Sequence, residues 1–219
     1  MSGGARRWPN WPPCRTNLAS LNEQHRWRGR SDPGRPRRRE RALLPGPTDY
    51  LLYAADQEIV AIAWSAQILG EVTEHLMGNV EGFDQAAAQR LVGAMNRAYP
   101  YAEVEPDKEH WQMLNGLSLP DDDDRHVLAA SLAAEATVLC TSNTKDFPAN
   151  LAEALGFEVL APDQLLSRLV VEHGPQMLAA HQTAVASLKG ATDESTVMAL
   201  RRAGAPTTAR LIARLLRAE

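Results

Sequence analysis

From residue 43 onward, apolar and polar positions follow two periods. Ile68, Leu69, Val72 and Leu76 recur at the three- and four-residue spacing that places side chains on one helix face. Ala88, Leu91, Val92 and Met95 repeat that spacing, as do Val127, Leu128, Ser131 and Leu132. Between these stripes lie apolar runs too short for helices: residues 58–63 (EIVAIA), 136–140 (ATVLC) and 157–160. They read as buried strands, whereas residues 101–105 alternate like an exposed or edge strand.

Start and stop signals agree with this division. Thr48 is placed to N-cap a helix reaching about Gln57, Ser65 to N-cap the next, and Asp84 to open a third. The four aspartates at 121–124 open the helix that carries Val127. A helix near 148–155 stops at Gly156, and Pro162 begins one reaching His173. Residues 107–118 follow neither period. Strands separated by helices predict an α/β fold whose mainly parallel sheet is covered on both faces. Beyond residue 174 only helical spacing remains, over 175–188, 193–203 and 206–217, punctuated by Gly190 and Gly204. The pattern therefore predicts an α/β domain over 43–172 and a helical appendage over 173–219.

Composition separates the first 42 of the 219 residues from everything after them. They hold eleven of the 23 Lys and Arg against three acidic residues, a net charge of +8. The remainder has twelve basic against 24 acidic residues, a net charge of −12. Residues 1–42 contain no Val, Ile or Phe but three of the five Trp, with Pro and Gly interspersed and no period. That composition predicts disorder. A basic arm with interleaved Trp would also suit RNA, through phosphate attraction and base stacking. The abrupt break near residue 42 suggests instead a segment from a wrong start or a shifted reading frame. No apolar stretch approaches a membrane span or a secretory signal. Cys14 and Cys140 lie too far apart to suggest a disulfide framework or a zinc site, which predicts a reducing, cytoplasmic setting.

Candidate chemistry lies in three separated stretches. Glu71 sits on the second helix, Asp121 and Asp124 at a helix start, and Asn143 and Asp146 in the loop after a buried strand. Ligands in parallel α/β sheets gather at the carboxyl ends of the strands, where that loop begins. Carboxylates drawn together there raise one another's pKa unless a cation neutralises them. Hard oxygen donors without Cys or His select Mg²⁺ or Mn²⁺ over zinc, and such ions support phosphodiester hydrolysis. Each piece alone has a plainer reading. An aspartate run favours a helix N-terminus by about 0.3–1 kcal/mol per residue, Glu71 and His126 read as helix-surface residues, and Asp146 as a turn residue.

The order of the pieces is informative. Trp64-Ser65 precedes Ile68, Leu69, Glu71 and Val72. Leu119-Pro120 precedes the four aspartates, Arg125, His126, Val127, Leu128, Ala129 and Ala130. Thr141-Ser142-Asn143-Thr144-Lys145-Asp146-Phe147-Pro148 comes last. Over roughly residues 43–170 this resembles the PIN-domain family, and within it the VapC-type toxin ribonucleases of toxin–antitoxin pairs. The helical tail is similar to the C-terminal extension of one VapC subgroup. The resemblance implies a three-layer α/β/α fold with a parallel sheet of four or five strands, and an Mg²⁺- or Mn²⁺-dependent endoribonuclease. It assigns catalytic, metal-holding roles to Glu71, Asp124 and Asp146, places Asp121 as a further metal-side carboxylate, and makes Thr141 and Asn143 supporting groups toward substrate. It also implies an RNA substrate, a cognate antitoxin and a homodimer, with no membrane association.

One departure stands out. The family opens with a hydrophobic strand ending in an aspartate. Counting back from Pro45, the matching slot holds Arg39, preceded by Pro36-Arg37-Arg38, which suit no buried strand. Glu40 is one residue out of register, so on a strand it would face the other way. The sequence thus predicts a domain lacking its first strand and one acidic ligand, with weakened or absent nuclease activity. A PIN-like module that only binds an antitoxin or another partner is the alternative.

Overall fold

The structure is a computed structural model and describes residues 15–18 and 46–218. In chain order its elements are β1 (Arg15–Leu18), α1 (Pro47–Asp56), β2 (Ala61–Ala63), α2 (Ala66–Asn79), α3 (Gln85–Ala98), α4 (Lys108–Met113), α5 (Arg125–Ala133), β3 (Val138–Cys140), α6 (Ala149–Ala154), β4 (Glu158–Leu160), α7 (Pro162–Glu172), α8 (Gly174–Ala186), α9 (Asp193–Arg202) and α10 (Pro206–Leu215). Among the described residues no helix is long and apolar enough to cross a membrane. These residues form two compact units, one of 15–18 with 58–160 and one of 46–57 with 161–218.

The first unit is helix-rich around a small parallel sheet of order β2-β1-β3-β4. Three of its strands are only three residues long. Every residue of β2 and β3 is buried, although neighbouring side chains in a strand point to opposite faces. The alternation-free runs AIA and VLC are therefore what a sheet covered on both faces requires. β1 lies between β2 and β3, with Thr16 opposite both Ile62 and Val138. This corrects two expectations: residues 15–18 are not structureless, and the sheet has an inner strand ahead of β2. These four residues are too few to show a period of their own, and pairing on both sides is what makes them a strand. The other readings of 1–42, including Arg39 and Glu40, fall outside the described residues.

The local signals explain most helix starts in this unit. Ser65 Oγ accepts from the Ile68 N–H at 3.3 Å, and Asp84 Oδ1 accepts from the Ala87 N–H at 2.8 Å. Residues 107–118 resolve into α4 and a turn, because Asp107 accepts from the N–H groups of Glu109 (2.9 Å) and His110 (3.0 Å). Gly156 takes φ +91° between α6 and β4, a conformation that costs glycine little. The strand expected over 101–105 shrinks to one parallel rung between Trp64 and Glu103. Pro106, which has no N–H to donate, stops the ladder there.

The second unit is wholly helical among its described residues. It joins α1 and α7, which the sequence pattern assigns to the α/β domain, with α8, α9 and α10. The start of α1 is also shifted from Thr48. Gly46 is the cap, Pro47 takes the first turn, and the Asp49 carboxylate accepts from the Gly46 N–H at 2.7 Å. Leu165, Leu166, Leu169, Met177, Leu200 and Ile212 are fully buried. Each contributes on the order of 1.5–3 kcal/mol by leaving water.

Two polar links cross this core. The Tyr50 hydroxyl lies 2.6 Å from His181 Nδ1, and His181 Nε2 lies 3.1 Å from Asp193 Oδ1. The Asp163 carboxylate accepts from the N–H groups of Thr207 (3.0 Å) and Thr208 (2.8 Å) and from the Thr208 hydroxyl (2.7 Å). A side chain of α7 thereby caps the N-terminus of α10, whose own Ala205 has no side-chain acceptor.

Candidate functional site

All strand pairs are parallel, so the carboxyl ends of β2, β1, β3 and β4 share one edge of the sheet. β3 passes into Thr141, which is fully buried. The Thr141 Oγ1 accepts from the Asn143 N–H at 3.1 Å and tightens the turn. The Asn143 side-chain amide then donates to the Asp146 carboxylate, at the end of the single 3-10 turn Thr144–Asp146. Phe147, 2% exposed, anchors the far side of the loop. Thr141 and Asn143 are thus spent on holding Asp146 in place.

The aspartate run is built in the same local way. Asp121 Oδ1 accepts from the Asp123 N–H at 3.0 Å and caps the 3-10 turn Asp122–Asp124, which leads into α5. The Arg125 guanidinium donates to the carbonyls of Leu114 (2.7 Å) and Leu117 (3.0 Å) and also to the Asp122 carboxylate. One arginine therefore ties the preceding segment to the helix start and neutralises one of the four acids. Asp124 is left at the beginning of α5.

His126 departs from the expectation of a helix-surface residue. It is 5% exposed, and its Nδ1 donates to the Asp123 carbonyl at 2.7 Å. Its Nε2 faces Glu71 Oε1 of α2 at 3.1 Å, an ion-pair distance whose angles are not those of a hydrogen bond. The reason is that α5 is buried all round from His126 to Ser131 rather than along one stripe. The alanines at 129 and 130, between Leu128 and Ser131, are the sequence signal of such a helix.

Electrostatics link the three stretches. Burial pushes the Asp124 carboxyl up to about 6, reinforced by the negative charges of Asp146, Asp121 and Glu71 and opposed by His126. Glu71, Asp121 and Asp146 thus each lie within Coulombic reach of Asp124. They are not drawn into a finished cage: among the described residues no three His, Cys, Asp or Glu side chains stand grouped to hold a metal ion. The donor set is nevertheless of one chemical kind, hard carboxylate oxygen. Such oxygens are the kind of donor that Mg²⁺ and Mn²⁺ take.

No family model matches the chain, and no curated protein or solved structure matches it.

Proposed function

We propose that this protein is a PIN-type endoribonuclease of the VapC kind, with a three-layer α/β/α first unit that cuts RNA phosphodiester bonds with the help of Mg²⁺ or Mn²⁺. One observation carries the reading: the negative charges of Glu71, Asp121 and Asp146, from three separated stretches of chain, act together on Asp124. Glu71, Asp124 and Asp146 are the ligands, with Asp121 beside them. A bound cation would supply the positive charge that activates water and steadies the departing oxygen. The chain's own part is to hold the carboxylates. Asn143 orients Asp146 through its amide, Thr141 shapes the turn beneath both, and His126 faces Glu71 from α5. The acidic body repels RNA until a cation is bound, so binding as well as cutting depends on the metal. A cognate antitoxin that covers this edge, a cytoplasmic setting and a homodimer belong to the same proposal.

A second reading has its own support. Glu71 already faces an imidazole, and the inner strand β1 (Arg15–Leu18) brings no acidic residue of its own. A PIN-like module that binds a partner without cutting RNA fits those two facts. Incubating the purified chain with a labelled structured RNA, with and without Mn²⁺ or Mg²⁺, separates the readings. Cleavage that needs the ion and disappears in Asp124→Asn supports the nuclease. Intact RNA under every condition supports the binding module, and cleavage retained by Asp124→Asn overturns the proposed site.

A further inference from the structure

The second unit carries a feature that the nuclease reading does not use. Between α9 and α10 runs an open groove of about 360 Å³. Val197, Met198 and Ala213 form apolar parts of its wall, and Arg201, Arg210 and Arg217 stand around it. On α10, Arg210 and Ala213 are three apart and share a face, and Arg217 follows in the turn that ends the helix. On α9, Val197 and Arg201 are four apart and likewise share a face. Met198 is 38% exposed, so an adaptable thioether is left in solvent beside the groove. All three arginines are exposed, and no carboxylate among the described residues pairs with them.

From this arrangement we infer that the α9–α10 groove docks an acidic amphipathic helix of a protein partner, whose apolar face meets Val197, Met198 and Ala213 and whose flanking carboxylates meet Arg201, Arg210 and Arg217. An apolar strip edged by charge is the receptor side of helix-in-groove recognition. The guanidinium fork suits carboxylates in two-point contacts. Charge decides between occupants. The basic segment 1–42, at +8, carries the same sign as the rim and is repelled by it. Single-stranded RNA would meet the arginines but gain little from a groove without an aromatic ring for base stacking. The inference goes beyond the nuclease reading and stands or falls separately from it.

The test uses the full chain and three fluorescent probes: a designed 18-residue helix with leucines at i, i+4, i+7 and i+11 and glutamates elsewhere, its lysine counterpart, and a 20-nucleotide single-stranded RNA. Anisotropy titrations of wild type, Arg210→Glu and Ala213→Trp are run with circular dichroism to confirm folding, and size-exclusion chromatography with light scattering reports oligomeric state. The expected result is that wild type prefers the glutamate peptide over the lysine peptide by tenfold or more. On the order of tenfold loss is expected in Arg210→Glu, with preference moving toward the lysine peptide, and a similar loss in Ala213→Trp, which fills the groove. Absence of binding, equal affinity for both peptides, or indifference to Arg210→Glu overturns the proposal. RNA binding that Arg210→Glu removes would assign the groove to nucleic acid. A dimer that Arg210→Glu dissociates would assign it to a second copy of the chain. Either outcome overturns the acidic-helix partner.

Discussion

Glu71 Oε1 on α2 stands 3.1 Å from Nε2 of the buried His126 on α5. His126 is fixed from the other side by the Asp123 carbonyl at 2.7 Å. Under the proposed function the imidazole is a positioning group for Glu71, set one residue after Arg125, which anchors the same helix start. On that reading, replacing it by glutamine is expected to leave the fold intact and to weaken Mn²⁺ binding by about 10–100-fold, the usual cost of losing an outer partner of a metal ligand. Calorimetric titration of wild type and His126→Gln with Mn²⁺ checks this. Equal affinities would show that Glu71 needs no such support.

Asp124 should behave as a strained charge. Its carboxyl is pushed up from an ordinary value near 3.8 to about 6, so between those values the folded protein holds more protons than the unfolded chain. Stability then falls as pH rises through that window, and at pH 7 the ionised group is a cost. Without metal, Asp124→Asn is therefore expected to be more stable than wild type. The gain is about 1 kcal/mol or less once solvent screening of this part-exposed group is allowed for. Denaturant melts in EDTA at pH 7 should show that gain and at pH 3.5 should not. Under the proposed function, the same variant cuts no RNA.

Asp163 holds α10 from α7. Burial alone would raise its carboxyl, but the N–H groups of Thr208 and Thr207 and the Thr208 hydroxyl outweigh it, and the carboxyl sits below its ordinary value. Its stabilisation is complete above about pH 4 and fades as pH falls through the depressed value. Asp163→Ala leaves two helix-start N–H groups without an acceptor and is expected to cost about 1–3 kcal/mol. Urea unfolding followed by circular dichroism measures it, and the difference should narrow as pH falls below the ordinary carboxylate value of 3.8.

The Tyr50–His181–Asp193 link predicts a different acid response. His181 is fully buried, and burial holds its imidazole below the usual value near 6.5 despite the pull of Asp193. In the neutral ring Nε2–H donates to Asp193 and Nδ1 accepts from the Tyr50 hydroxyl. The unfolded chain protonates near pH 6.5 while the folded one resists, so this contribution is complete above 6.5 and shrinks as pH falls below it. Histidine NMR signals should show one imidazole titrating below pH 6.5. Tyr50→Phe, which leaves Nδ1 without a donor, is expected to cost about 1–2 kcal/mol. An unchanged melting midpoint in that variant would mean the link contributes nothing.

Much of this organisation is legible in the sequence. The caps Ser65 and Asp84, the break at Gly156, the buried runs within 58–63 and 136–140, and the helical tail are local facts, because a cap or a stripe is settled by residues within a turn of each other. The three acidic stretches are likewise local: Glu71 on α2, Asp121 to Asp124 in the turn before α5, and Asp146 in the turn after β3. What a single stretch cannot show is what it meets. Arg15–Leu18 becomes a strand only because β2 and β3 flank it, and α1 and α7 join α8 to α10 through a core visible only after folding. His126 looks like a surface residue until α5 is seen to be buried on every side. The residue types and their local elements were set by short-range chemistry. The charge shared among Glu71, Asp121, Asp124 and Asp146, and the cap that Asp163 lends to Thr208 from 45 residues away, exist only because tertiary packing brings distant chain together.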